Sequence, residues 1–178
     1  MENGTDWRWL ASRSAGWAAL FAAGVAAGAA LVGVLLPLFA PALQAMDQGM
    51  SQARALSENA LVAGIFLKNA SVVLLVVLLG KPTRGIVPAL VCLQNSLLIG
   101  ALASALHGAQ GLAWWRFALF LAPHGVFELP AIFLACAIGM LAWPTARRLR
   151  LALVPLGLLA VAAVVEVYVT PVLGSRLI

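Results

Sequence analysis

Six polar side chains lie inside long apolar stretches of this sequence, and their types and spacing could support chemistry. They are Lys68, Asn69, Asn95, His124, Glu128 and Glu166. A charged side chain at the centre of a bilayer costs at least about 2.5–3.5 kcal/mol on insertion scales, so these residues are expected to face each other rather than lipid. His124 and Glu128 stand four residues apart, which places them on one face of a helix.

Three roles are open for this group. The first is a structural network, in which Lys68 pairs with Glu128 or Glu166 while the asparagines donate to the backbone at a helix break beside His124. The second is a proton or ligand site. The third is a divalent metal held by His124, Glu128 and Glu166, although a single histidine at this depth makes a poor donor set. No other cofactor is expected. No catalytic residue is assigned, because the sequence lacks the phosphate-loop, His-Glu-x-x-His and Gly-x-Ser-x-Gly motifs.

The composition indicates that the elements holding these residues lie in a membrane. Of the 178 residues, 63% are hydrophobic and only 10% are charged, and the mean hydropathy is +1.03. A soluble domain averages about 45–50% apolar and about 25% charged residues, so this chain has too little polar surface to be one. Disorder and a disulfide-stapled secreted fold are excluded as well. The net charge is +5, but no basic face is interleaved with aromatic residues, which excludes nucleic-acid binding.

Five apolar runs are long enough to cross a hydrocarbon core about 30 Å thick as helices. They cover about residues 16–39, 60–80, 86–106, 114–143 and 151–169. The remainder is too short for a second domain. We therefore expect residues 1–178 to form a single integral membrane domain, an all-α polytopic bundle of about five transmembrane helices whose first partner is the lipid bilayer.

The fourth run has about 30 residues, which is too many for one straight span. It contains Pro123, Gly125 and Pro130. Because proline lacks an N–H and glycine frees the backbone, we expect this helix to be broken at Pro123–Gly125. A simple proline kink is the alternative.

Two further patterns concern packing at the start of the chain. Gly24 and Gly28 stand among many alanines in the first run, a small-xxx-small surface for close helix contact. Packing within the chain is the use that we favour, and a homodimer is the other arrangement that this surface allows.

In residues 41–59, apolar residues recur at spacings of three and four, which predicts an amphipathic helix on the external membrane face. The alternative for that segment is a partner-docking surface.

Basic residues predict the orientation through the positive-inside rule. Seven lie on one side of the predicted spans, namely Arg8, Arg13, Lys81, Arg84, Arg147, Arg148 and Arg150. Three lie on the other, namely Arg54, Arg116 and Arg176. The N-terminus is therefore expected in the cytoplasm and the C-terminus outside the cytoplasmic membrane. In this orientation four helices place their polar side chains at depths of about 6–20 Å from the external ends, which predicts one buried polar centre.

Several stretches of residues 60–171 resemble the stage II sporulation protein M family of integral membrane proteins. They are Phe66-Leu-Lys-Asn69 followed by Gly80, Pro88 to Gly100 with Gln94-Asn95, Pro123-His-Gly-Val-Phe-Glu128-Leu-Pro130, and Glu166-Val-Tyr-Val-Thr-Pro171. The Pro-His-Gly-x-x-Glu-x-Pro string is the most specific. Ser96 departs from the family, in which many members have glycine after the asparagine.

The resemblance implies that the polar residues other than Lys68 fall on family motif positions. The namesake in spore formers resembles a scaffold that recruits peptidoglycan-degrading partners during engulfment, and members also occur in prokaryotes that do not sporulate. The resemblance thus implies a non-enzymatic membrane scaffold that organises other membrane or cell-envelope proteins. The alternative is a membrane transporter or a membrane-embedded enzyme that uses the polar centre, with a proton or metal dependence.

Overall fold

A computed structural model describes residues 7–53 and 57–172, and within these ranges the chain forms α-helices without a strand. The helices are α1 Trp7–Ala30, α2 Val32–Ala53, α3 Glu58–Leu79, α4 Ile86–Gln110, α5 Trp114–Gly139 and α6 Thr145–Tyr168. The last four are each long and apolar enough to cross a membrane. The fold is therefore the all-α membrane bundle that was predicted, with about five spans when the bent pair α1–α2 is counted as one.

The first predicted span is divided in the structure. The segments Arg8–Ala30 and Val32–Pro41 meet at an angle of 97°, with Leu31 at the bend. The apolar run 16–39 did not reveal this bend, because hydropathy reports where a chain can lie in a membrane but not the direction that it takes.

The predicted amphipathic segment 41–59 is also divided, since its first part belongs to α2 and its last residues to α3. Residues 54–56 lie outside the described residues, and the external position of the segment stays a prediction.

The predicted break at Pro123–Gly125 is wrong. Helix α5 runs without interruption from Trp114 to Gly139 and contains both Pro123 and Pro130. The fixed φ of proline is helical, and a membrane helix tolerates the missing backbone donor because neighbouring groups satisfy the freed carbonyl. The apolar run is longer than one span because it includes residues 140–144, which form the turn before α6.

Helix α5 lies at the centre of the bundle, where it packs against α1, α3, α4 and α6. Helices α1 and α4 pack along each other on one side, and α3 packs against α6 on the other. The most closely packed core occupies one end, where the start of α1 meets the ends of α3 and α5 and the start of α6. Its members include Leu10, Val77, Ile138, Ala152 and Leu159. None of the polar side chains of the predicted centre belongs to this core. Glu166 lies towards the opposite end of the bundle, and the others lie near the middle of their helices.

Glycines bring α1 and α4 into close contact within the chain, as favoured from the sequence. A Cβ atom added to Gly28 would lie 2.8 Å from Leu97 Cα, and one added to Gly24 would collide with Ser96. From the other side, a Cβ on Gly100 would collide with the Val25 carbonyl oxygen. Residue numbers rise together along the two helices, so α1 and α4 are parallel.

Arg148 has a structural role that the sequence did not reveal, because its charge was interpreted only as a topology signal. The side chain is 5% exposed. Its Nη1 donates to the Val77 carbonyl at 2.8 Å and to the Gly139 carbonyl at 3.2 Å. These carbonyls belong to the last turns of α3 and α5, where helical backbone acceptors lack partners of their own. One guanidinium therefore holds the ends of two helices to the start of α6.

Candidate functional site

Three of the predicted polar residues meet at one cavity between α4 and α5. Asn95 from α4 and His124 and Glu128 from α5 all line it. Its volume is about 70 Å³, and apolar side chains such as Phe21 and Ile132 form the rest of its wall. Since α5 is helical throughout, His124 and Glu128 lie one turn apart on the same face, as their spacing predicted. The structure thus joins residues that are 29 and 33 positions apart in the sequence.

Glu166 of α6 and Thr170, in the helical turn that follows α6, form a matching pair beside α5. Thr170 Oγ1 lies 3.2 Å from His124 Nδ1, and the charge of Glu166 acts on the Glu128 carboxyl group. The two helices are antiparallel, so four residues forward along α5 correspond to four residues back along α6. One register therefore pairs His124 with Thr170 and Glu128 with Glu166.

Thr170 was not selected from the sequence, although it is 6% exposed and contacts the predicted histidine. A signal for it was present in the spacing. Glu166 and Thr170 stand four residues apart, as His124 and Glu128 do, and Thr170 directly follows the fifth apolar run. A repeated spacing of four on two neighbouring helices is typical of side chains that face each other.

The hydrogen bonds around Thr170 allow the tautomer of His124 to be assigned. The Thr170 hydroxyl donates to the Val165 carbonyl at 3.4 Å, which uses its only proton. Its oxygen is then the acceptor for the neighbouring imidazole, so we assign the proton of His124 to Nδ1. In the neutral ring this assignment makes Nε2 a hydrogen-bond acceptor.

Asn95 has its amide group oriented by its own helix. Its Nδ2 donates to the Val91 carbonyl at 2.7 Å, one turn earlier in α4. The contact is local to α4, whereas the structural network considered from the sequence placed such a donation at a broken α5. This bond uses one N–H of the amide, so the Oδ1 atom and the second N–H remain for other partners.

Lys68 and Asn69 lie farther from the cavity than the other residues of the predicted centre. The charge of Lys68 acts on both Glu128 and Glu166, but its side chain is exposed. Within residues 7–53 and 57–172, Lys68 makes no ion pair shorter than 4.0 Å and half-buried Asn69 makes no side-chain hydrogen bond. The lysine contributes a nearby positive charge rather than a direct contact.

The donor atoms at this site also bear on the metal hypothesis. In the part of the chain that the structure describes, no three or more His, Cys, Asp or Glu residues are grouped so that they could hold a metal ion. The assignment of a divalent metal to His124, Glu128 and Glu166 stays a prediction from the sequence.

A model of the family described as Stage II sporulation protein M matches residues 17–171. The chain belongs to the stage II sporulation protein M family. This confirms the resemblance drawn from the motifs and, together with the apolar helices, shows an integral membrane protein. Every cavity-lining residue, together with Glu166 and Thr170, falls inside the family match. No curated protein and no solved structure was found to match the chain.

The tautomer assignment predicts the effect of replacing Thr170. The chain has two histidines, so selective ¹⁵N labelling with a His107→Gln reference assigns the His124 signals. We expect the Nδ1–H form in the unaltered protein and in Thr170→Ser. Thr170→Val removes the acceptor, so the ring should shift towards the Nε2–H form and the protein should lose about 1 kcal/mol of stability. An Nε2–H form in the unaltered protein would contradict the assignment.

Proposed function

We propose that the chain is a non-enzymatic membrane scaffold that organises other membrane or cell-envelope proteins. Membership of the stage II sporulation protein M family supports this function. The observation that carries it is the position of Gln94, a polar side chain on the outer face of a membrane-spanning helix. In a spore-forming host, the partners would include proteins that remodel peptidoglycan.

Gln94 continues an exposed apolar stripe on α4. Ile86 is 63% exposed and Leu90 is 60% exposed, and Gln94 follows at the same spacing of four with an exposed side chain. It lies about 12 Å along the helix from Ile86, which is about a third of the way along α4 and within the apolar span. Within the described ranges its amide has no hydrogen-bond partner. A polar amide in lipid is unfavourable, and such side chains in membranes form hydrogen bonds between helices.

Helix α3, the neighbour of α4 in the chain, has exposed side chains that fit a partner with an acidic or carbonyl acceptor. Lys68 is exposed in the middle of α3, which is joined to α4 by the short turn at residues 80–85. Exposed leucines on the same helix, Leu67 and Leu75, would pack against an apolar surface. The occupant that fits these features is a transmembrane helix of another protein, with an acidic side chain near its middle. The positive charge of Lys68 and the amide of Gln94 would both be satisfied by it.

The proposed orientation places the N-terminus in the cytoplasm and the C-terminus outside. Contacts in the close-packed core support it, since the start of α1, the end of α3, the end of α5 and the start of α6 meet at one end. The basic clusters near Arg13, Lys81 and Arg147 flank these same helix ends. One face of the bundle therefore holds the residues that the positive-inside rule assigns to the cytoplasm.

Photocrosslinking in the native membrane tests the scaffold proposal. A photoreactive amino acid at position 90, beside Gln94, is expected to capture a defined integral membrane partner. Gln94→Leu should weaken the purified complex about tenfold, because a hydrogen bond between membrane helices contributes about 1–2 kcal/mol. Gln110→Leu, the same change at an exposed position at the end of α4, is the control and should leave the affinity unchanged.

Three results would contradict the proposal. The first is capture of lipid alone at position 90. The second is capture of only a second copy of this chain, which would make the exposed stripe a homodimer surface. The third is an equal loss of partner in Gln94→Leu and Gln110→Leu, which would show that the glutamine has no specific part in docking.

The cavity favours the second candidate, a membrane transporter or membrane-embedded enzyme, because Asn95, His124 and Glu128 line it together. Transport would also need a path to both membrane faces. On one side the cavity wall includes Ile132, which belongs to the close-packed core with Ala135 and Ile138. That core separates the cavity from one end of the bundle, so we place the scaffold function first.

A further inference from the structure

The cavity between α4 and α5 presents three hydrogen-bond acceptors. Asn95 offers Oδ1 as an acceptor, while one N–H of its amide donates to Val91 and the second N–H is left over. His124 offers Nε2, because its Nδ1 proton is directed at Thr170. Glu128 offers carboxylate oxygens. Three acceptors around one small space require a ligand that is rich in donors.

The size of the cavity limits the group that it can hold. Its volume is about 70 Å³, whereas one water occupies about 30 Å³ of liquid, so the space suits a group of a few heavy atoms. A primary ammonium group has three N–H donors and no acceptor, which matches the three acceptors of the wall. Its positive charge complements Glu128 and the nearby Glu166, while the exposed Lys68 is the opposing charge that also acts on Glu128.

A larger apolar groove adjoins this cavity. Its volume is about 630 Å³, and its wall includes Val25, Trp114 and Phe133. Cavity and groove share Ile99, Leu121, Gly125 and Leu129, so the polar space and the apolar groove adjoin along these four residues. The groove lies between α5 and the α1–α4 pair. An apolar chain lying in the groove would bring its polar end to the cavity.

We propose that this cavity and groove form a binding site for an amphiphile that carries a primary ammonium group on an apolar chain. The ammonium group donates to Asn95, His124 and Glu128, and the chain lies in the groove. The site is independent of the scaffold proposal, because Lys68 and Gln94 do not line either space. Failure of partner docking and failure of amphiphile binding can therefore be distinguished.

Titration of the purified full-length protein in a neutral detergent tests this site. The probe is dodecylammonium, and isothermal calorimetry measures its affinity. Dodecyltrimethylammonium has the same charge and chain but lacks N–H donors and has a larger head, so we expect at least tenfold weaker binding. Ammonium chloride supplies the head without the chain and should compete only weakly. Equal affinities for the two dodecyl probes would overturn the proposal, and so would an affinity for ammonium chloride equal to that for dodecylammonium.

Variants of the cavity wall separate specific binding from simple partition into the groove. Glu128→Gln keeps the shape but removes the negative charge, and Asn95→Leu removes one acceptor; each should weaken dodecylammonium binding at least tenfold. Gln110→Leu is the matched control for Asn95→Leu, since it removes an amide on the same helix away from the cavity. Thermal unfolding identifies variants that fail to fold, and the other wall variant then decides. Unchanged binding in a folded wall variant would overturn the site.

Discussion

Replacing Arg148 with methionine is expected to lower the free energy of unfolding by about 2–5 kcal/mol, because two buried carbonyls lose their donor at once. Methionine keeps much of the apolar stem, so the loss reports on the guanidinium rather than on packing volume. The affected carbonyls, on Val77 and Gly139, lie at the ends of α3 and α5. A cation at the C-terminal end of a helix also interacts favourably with the helix dipole.

Arg148 reaches both helix ends because these ends pack closely. Gly80 and Gly139 have no side chains, which allows the close packing. A Cβ on Gly80 would lie 2.8 Å from the Gly139 carbonyl carbon, so neither helix end tolerates a larger residue there. Arg148→Met should therefore loosen the whole end of the bundle. Its effect should appear as a lower unfolding temperature and as faster hydrogen exchange in the last turns of α3 and α5.

Arg150→Met is the matched control, since Arg150 is exposed two residues along the same helix. We expect it to change stability by less than about 0.5 kcal/mol, as is usual for surface positions. Circular dichroism during denaturant unfolding in detergent compares the two variants. Equal losses in Arg148→Met and Arg150→Met would contradict the role of Arg148 in holding the two helix ends.

Gly100→Ala is expected to destabilise the bundle by about 1–3 kcal/mol, although alanine is the better helix former. The added Cβ would collide with the Val25 carbonyl oxygen and would lie 2.9 Å from the Ala29 nitrogen. Both atoms are backbone, so the clash cannot be relieved by a side-chain rotation. Helices α1 and α4 would have to separate along their contact.

Gly108→Ala provides a control of opposite sign on the same helix. A Cβ at Gly108 meets no heavy atom within 4 Å, so only the backbone entropy changes. Alanine should then stabilise the protein by up to about 1 kcal/mol. Thermal unfolding of the two variants, measured side by side, should show shifts in opposite directions. A stabilising effect at both positions would show that α1 and α4 are not held together at Gly100.

The local sequence determined the class of this protein and most of its spans. Apolar runs specified α3, α4, α5 and α6, because about 20 apolar residues cross a bilayer only as a helix that satisfies its own backbone. The spacing of His124 and Glu128 placed them on one face for the same reason. The motifs identified the family, and the cost of charge in lipid pointed to the residues that line the cavity. Each of these inferences depends on neighbours within one helix.

Only the tertiary structure decided how the helices meet. The bend at Leu31 and the continuity of α5 through Pro123 depend on packing partners that hydropathy does not record. The pairing of His124 with Thr170 depends on the antiparallel register of α5 and α6. The burial of Arg148 depends on two helix ends that are 9 and 71 residues away in the sequence. Composition and hydrophobic periodicity are properties of one segment of the sequence. The register, the direction and the distance between two helices depend on both of them, and they are set when the two helices pack.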